Sequence, residues 1–394
     1  MNSQLSIVLV SALGALVAAA AQTPRAVPVP AYSYAIPPTL SDGWTTATLE
    51  QAGIDRRRLE QMTESIRSHP EYNVHAVLIE RSGRLVYEEY FSGKDERWGV
   101  PLGVVNFDRG TMHDLRSVTK SVVSALVGIA SDSGAIPSLD APLIGYFPEF
   151  KDLDVPERRR ITIRHALTMS VGLEWKEDIP YTDPTNDEIV MTRSPEPVHY
   201  VLARPIVAAP GTSWRYNGGT TQVLGTIVQR ATKQPLAEYA RAMLFSPLGI
   251  TEFEWLGSLA GVPSAASGLR LRPRDLAKFG SLYLHDGHWN GRQILPSAWV
   301  DESTRRRLAF PGQQGRGYAY QWWHACYPTA SGVVEVPTAV GNGTQRIFLL
   351  RRQQTVVTVL AGRYNDFSSN PPERLLLDFI LPALPSASTS ECPS

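Results

Sequence analysis

The chain has 394 residues, 43% hydrophobic and 19% charged, the balance of a globular protein big enough for one large domain or two intertwined ones. Lys+Arg and Asp+Glu are both 38, so the net charge is zero, and the arginine triplets at 56–58, 158–160 and 305–307 are dispersed; this excludes an electrostatic case for nucleic acid. The 8 histidines are scattered without H-E-x-x-H, and the two cysteines form no C-x-x-C, so neither a metal nor an organic cofactor is expected.

Leu5 to Ala21 is almost wholly apolar or small, and Ala19-Ala20-Ala21 offers an A-x-A cleavage site. Residues 1–21 read as a signal peptide, short for a membrane span, which predicts a secreted or periplasmic protein with no membrane span after cleavage. Residues 22–40, rich in Pro, Ala and Val, read as a linker. A helix is predicted over Arg56 to Ser68. Val74 to Glu80 and Arg84 to Tyr90 flank Arg81-Ser82-Gly83, the pattern of a β-hairpin with a glycine turn.

Next comes Leu115 to Gly128. Val118, Val122, Ala125 and Leu126 recur at helical spacing, so this helix should be buried. Ser117 and Lys120 are three apart and share its face. A serine hydroxyl needs a proton acceptor before it is nucleophilic. Desolvation lowers a lysine's pKa, so a lysine among apolar neighbours is expected to be the neutral amine that takes that proton. The helix N-terminus adds N–H groups and partial positive charge suited to an oxyanion. S-x-x-K by itself is short and arises by chance; the apolar setting gives it weight, because an unpaired buried charge is costly.

Ser133-Gly134 is a helix stop. From Leu139 to Ile250 the chain is helical and loop-rich without a strand pair. The turn-rich loop Pro210 to Gly219 leads into a helix from Thr220, which places Tyr216 just before that helix. A phenol there could pass protons beside a cation, or could equally be a packed tyrosine bonded to backbone; the residues leave both open. Helices are predicted from Pro273 and from Pro296. Gly317 to Trp323 is aromatic and β-prone, and Gln345–Leu350 with Thr355–Leu360 reads as a hairpin. A last helix starts at Pro371, and residues 383–394 read as a disordered tail. Cys326 and Cys392 are free thiols or, after export, a disulfide.

Strands near both ends and helices between them predict an α/β chain of the α+β kind: an antiparallel sheet flanked by helices, built from 41–115 and 265–382, with an all-helical domain, 116–264, inserted.

With Ser117-Val118-Thr119-Lys120, Tyr216 and Gly341-Asn342-Gly343 in place, the chain resembles the serine β-lactamase-related hydrolases: class C β-lactamases, D-Ala-D-Ala peptidases and esterases. Its nearest likeness is to the 6-aminohexanoate-dimer hydrolase branch. Supporting stretches include Leu167 to Trp175, Pro210-Gly211-Thr212, Pro247 to Ile250, Arg274 to Gly280 and Tyr318 to Trp323. The resemblance implies a β-lactamase/transpeptidase-like fold with the site in a cleft between sheet and helices. It implies Ser117 as nucleophile, Lys120 as the residue assisting its deprotonation, and Tyr216 as proton shuttle to the leaving group. The third motif, Gly341-Asn342-Gly343, would supply the Asn342 N–H that joins the Ser117 N–H in an oxyanion hole.

Two departures shape the expected substrate. The second motif of β-lactamases of this type is Y-x-N, but here it reads Tyr216-Asn217-Gly218, so Asn217 is a displaced candidate for substrate contact. Where K-T-G stands in them, this chain has Ala339-Val340-Gly341, without the lysine that meets a substrate carboxylate. Both favour an esterase or amidase acting on a small-molecule ester or amide through an acyl-enzyme on Ser117. The alternatives are a D-Ala-D-Ala peptidase or β-lactamase, and a non-catalytic binder on the same scaffold. Asn342-Gly343-Thr344 is also a glycosylation sequon, but a glycan there would block the cleft.

Overall fold

The structure is a computed structural model that describes residues 32–257, 261–310, 312–329, 331–386 and 392. The predicted signal peptide and most of the predicted linker lie outside the described residues. Among the described residues no helix is long and apolar enough to cross a membrane.

A nine-stranded sheet organises the chain. Its strands run in the order Thr45–Thr46, Arg84–Tyr90, Val74–Arg81, Thr355–Ala361, Gln345–Leu350, Gly332–Gly341, Trp323–Thr329, Gly317–Tyr318 and Leu308–Ala309. Only the first pairing, Thr45–Thr46 with Arg84–Tyr90, is parallel. The two ends of the chain meet at its centre, where Val77 pairs with Val359 and Ile79 with Val357. Both central strands are apolar at successive positions because both faces are covered. Side chains alternate across a strand. On one face Val356 and Ile347 meet Gly280 of the Pro273–Leu284 helix, where a Cβ would sit 2.6 Å from Val356. On the opposite face Tyr87 bonds Thr63 of the Arg56–Ser68 helix at 2.5 Å.

The helix expected around Ser117 spans Val118–Asp132, and every residue from Val118 to Ala130 is buried. It packs against the Gly218–Thr232 helix and the Gly332–Gly341 strand. Gly128 leaves room for the Trp299 ring, which would overlap any Cβ there.

Three details differ from the sequence expectations. The aromatic run 317–323 is not one strand: the chain turns at Gln321, whose φ is +65°, and a second strand starts at Trp323. The Gln321 side chain holds this turn, accepting from Thr221 and donating to the Ala166 carbonyl. The segment before residue 40 is fastened to the body, with Tyr34 donating to the Val86 carbonyl at 2.9 Å and Arg274 to that of Pro38 at 2.8 Å. At the other end Leu384 is buried, and Cys392 is bonded to Cys326 with Cα atoms 6.2 Å apart, which resolves the thiol alternative.

Candidate active site

Ser117 stands at a forced turn. The short strand His113–Asp114 pairs with Leu269–Leu271, Leu115 N–H donates to the Leu269 carbonyl, and Arg116 takes a left-handed φ of +50° before the helix begins. A non-glycine residue in that region costs about 1 kcal/mol or more. Arg116 is held there by ion pairs to Glu96 at 2.5 Å and Asp114 at 3.1 Å and by the Tyr364 ring beneath it. Ser117 is thus the N-cap residue, yet its side chain makes no capping bond. Its Oγ instead accepts from Lys120 Nζ at 2.9 Å.

Lys120 is 1% exposed, as its apolar helix predicts. Its charge state does not follow the sequence expectation. Nζ donates to the Ala266 carbonyl at 3.0 Å and lies 3.5 Å from Glu188 Oε2. Burial alone would push the lysine's pKa down, but Glu188, then Tyr216 and Glu177, outweigh it and push it up. These neighbours favour the ammonium over the neutral amine expected from desolvation. The apolar pattern of the helix could not reveal carboxylates arriving from residues 177 and 188.

Tyr216 is brought to this pair. Lys120 Nζ lies 4.9 Å from the centre of its ring, and the Tyr216 hydroxyl interacts with Ser117 and Lys120. Burial pushes its pKa up more than Lys120 pulls it down, so it rests as a phenol.

Glu177, Glu188 and Tyr181 were not singled out by the sequence. A brace between Lys176 and Asp187 sets them: Lys176 N–H donates to the Asp187 carboxylate at 2.6 Å, and Asp187 N–H to the Lys176 carbonyl at 2.8 Å. Asn186 caps the short helix Asp187–Arg193 through Glu188 N–H at 3.0 Å. Glu177 accepts from Trp175 Nε1 at 2.6 Å, Gly218 N–H at 2.6 Å and the Tyr181 hydroxyl at 2.8 Å. Two buried carboxyls this close cannot both ionise freely. Burial and the neighbouring Glu188 charge push Glu177 up to about 8. Burial acts the same way on Glu188, but Lys120 together with hydrogen bonds to Glu177 and Ser267 draws its pKa down. These opposite directions favour protonation of Glu177 over Glu188. Residues 173–190 carry six acidic residues, and nothing in their linear order marks these two.

On the other side of Ser117, Gly341 ends its strand against the Leu115 carbonyl, which a Cβ would overlap. Asn342 follows, and its side chain is committed to Asn365, accepting from Asn365 N–H at 2.8 Å and donating to Asn365 Oδ1 at 3.0 Å. Its carbonyl accepts from Gln345 Nε2 at 3.2 Å, and the residue lines the cavity beside Ser117. Asn217 behaves differently. It is 1% exposed, and its Oδ1 caps the Gly218–Thr232 helix through Thr220 N–H at 3.1 Å. Ser117, Lys120, Tyr216, Gly341 and Asn342 are brought together; Asn217 turns inward.

Two cavities meet at Ser117. One, of about 590 Å³, is lined by Trp214, Tyr216, Trp323, Val340, Arg346 and Phe367 among others. The second, of about 410 Å³, lies toward Arg116, Glu188 and Ser267. Ser117, Tyr181 and Asn342 line both.

Outside these cavities, His75, Asp95 and His113 are buried with ligand-capable atoms within 4.8 Å of one another, a grouping that linear spacing could not show. The two imidazoles are 2.8 Å apart through His75 Nδ1 and His113 Nε2, a hydrogen-bond separation, and Asp95 accepts the Tyr364 hydroxyl at 2.8 Å.

The strand–turn–helix that carries Ser117 and the helices beside a sheet sewn from both ends define a β-lactamase-like fold with a hydrolase site. The chain belongs to the Beta-lactamase family, whose profile it matches over residues 63–381. It is 25% identical to the 6-aminohexanoate-dimer hydrolase of Paenarthrobacter ureafaciens, over 73% of this chain and 72% of that protein. It is 29% identical to esterase EstB of Burkholderia gladioli, over 44% of this chain; this match spans less than half, 45%, of that relative's length. Among solved structures it shares its fold with EstCE1, a hydrolase with promiscuous acyltransferase activity, with a TM-score of 0.64, 17% identity, and coverage of 84% of this chain and 98% of that one.

Proposed function

We propose that this protein is a serine hydrolase that cleaves an ester or amide bond of a small molecule through an acyl-enzyme on Ser117. The observation that carries the reading is the 2.9 Å bond between Ser117 Oγ and a buried lysine, at a point where two cavities join. One cavity takes the acyl part and the other the leaving group.

In the proposed reaction, Ser117 Oγ forms a bond to the carbonyl carbon. Its proton passes to the Tyr216 oxygen while Tyr216's own proton passes to the leaving group, whose bond to the carbonyl carbon breaks as the tetrahedral intermediate collapses to the acyl-enzyme. With Lys120 an ammonium and Tyr216 a phenol, neither is a resting base, so a relay through the phenol replaces simple abstraction. Lys120 stabilises the negative charge that develops on Ser117 and Tyr216 during transfer. The backbone N–H groups of Ser117 and Asn342 receive the oxyanion, each worth about 3 kcal/mol. Water then cleaves the ester bond to Ser117 by the reverse relay.

The esterase and dimer-hydrolase names of the relatives support this class. The missing K-T-G lysine and the aromatic lining of the larger cavity support an apolar ester or amide over a D-Ala-D-Ala peptide. The disulfide and the apolar N-terminal run support a secreted or periplasmic location. The sheet of 41–115 and 265–382 and the helical insert of 116–264 are proposed as the two walls of the cleft. The test is hydrolysis of p-nitrophenyl acetate and butyrate: wild type turns both over, and Ser117→Ala falls to the uncatalysed rate. Equal rates for the two proteins would end this reading.

A further inference from the structure

Gly218 occupies the third place of Tyr216-Asn217-Gly218 and donates its N–H to Glu177 at 2.6 Å. A Cβ on it would overlap the Glu188 carboxylate and come within 3.2 Å of Glu177 Oε2. The empty space of this glycine is therefore filled by a carboxylate from another element. Glu188 Oε2 lies 3.5 Å from Lys120 Nζ, both groups are buried, and no other carboxylate of the described residues forms an ion pair with Lys120. The Glu188 carboxylate also interacts with Glu177 and Ser267, both uncharged donors, so the ammonium is its charge partner.

We propose that Glu188, seated against the bare Cα of Gly218, is the positioning residue of the site: as the counter-ion of Lys120 it holds that ammonium against Ser117 and leaves Tyr216 as the proton carrier. This rests on the serine-hydrolase reading and adds the residue that fixes the charge state of its lysine. A short side chain from Gly218 itself would put an amide or methyl where the carboxylate now stands, so Gly218 and Glu188 act as one unit. The groups facing Lys120 are Glu188, Tyr216 and Glu177, and Glu177 is itself bonded by Tyr181, Trp175 and Gly218. Removing the charge of Glu188 leaves a buried lysine whose desolvation is then only partly opposed.

The experiment is the pH profile of kcat/KM for an aryl ester, with wild type, Glu188→Gln, Glu188→Asp, Gly218→Ala and the double variant Gly218→Ala/Glu188→Gln. Wild type should show no inflection from Lys120 in the measurable range. Glu188→Gln should lose about tenfold or more in kcat with little change in KM, and gain a new basic inflection as Lys120 titrates. Glu188→Asp, which keeps the charge, should be slower but keep the wild-type profile shape. Gly218→Ala should mimic Glu188→Gln, and the double variant should be no worse than either, since each breaks the same contact. Unchanged profile shapes in Glu188→Gln and Gly218→Ala, or additive losses in the double variant, overturn the proposal. If either variant fails to fold, the other and Glu188→Asp still decide it. Ser117→Ala as active as wild type would instead overturn the underlying reading, so the two failures are told apart.

Discussion

The bare Cα of Gly341 faces the carbonyl oxygen of Leu115 so closely that a methyl group would overlap it. This contact fixes the end of an interior strand of the sheet against the turn that presents Ser117, and so sets the spacing of the Ser117 and Asn342 N–H groups. Gly341→Ala must push strand and turn apart, at a cost of about 1–3 kcal/mol of stability. Its effect on kcat should be larger than that cost implies, because misplacing one oxyanion donor costs about a hundredfold or more. A thermal melt together with ester kinetics checks this; a Tm loss with unchanged kcat contradicts it.

Tyr216→Phe removes the proton carrier but keeps the ring over Lys120. Activity should fall by about a hundred- to ten-thousandfold, the usual range for a lost general acid–base group. Esters with strongly acidic leaving groups need little protonation and should suffer least. Measuring kcat/KM across a series of leaving groups checks the role: an equal loss for every ester argues against Tyr216 donating to the leaving group.

Glu177 links the site to stability. Its pKa rises on folding from 4.5 to about 8, through burial and then the Glu188 charge. A carboxyl raised in this way makes the folded state bind a proton that the unfolded state has released. Its contribution is full below the unfolded value and is lost as pH rises through the folded one. Stability should therefore decline between pH 4.5 and about 8 on its account. Glu177→Gln should melt lower overall, having lost an acceptor for Trp175, Gly218 or Tyr181, but with a flatter pH dependence across that window. Melting curves at several pH values decide it: a parallel, uniformly lowered curve contradicts the assignment.

The Cys326–Cys392 bridge spans 66 residues and ties the chain's end to the sheet. In the chain-entropy account such a loop is worth about 4 kcal/mol. Cys326→Ser, or reduction of the wild type, should lower the Tm by several degrees while the esterase rate at low temperature stays near wild type. The bridge lies away from the two cavities at Ser117, so a large loss of kcat under folding conditions is the contrary result.

Much of the fold was legible because its elements carry local signals. The Arg56–Ser68 helix, the hairpin of Val74–Arg81 with Arg84–Tyr90, and the Gln345–Leu350 and Thr355–Ala361 strands stand where apolar period and turn residues put them. Ser117, Lys120 and Tyr216 were legible as types and spacings. The long hairpin Trp323–Thr329 with Gly332–Gly341 was missed because its strands mix polar, proline and aromatic residues, and its register is set by sheet neighbours. The ammonium state of Lys120 was hidden for a related reason. Desolvation can be read from a helix's own apolar residues, but a counter-ion from a distant loop is a product of tertiary packing. Two tautomer-dependent histidines, His75 and His113, show the same limit, being 38 residues apart in sequence and 2.8 Å apart in space.

The most direct measurement is intact-protein mass spectrometry after exposure to a fluorophosphonate, with peptide mapping of the adduct. The account predicts a single phosphonyl group on Ser117 in the wild type, formed in step with loss of ester hydrolysis, and none on Ser117→Ala. A wild-type protein that hydrolyses esters while Ser117 stays unmodified, or an adduct on a different serine that abolishes activity, contradicts it.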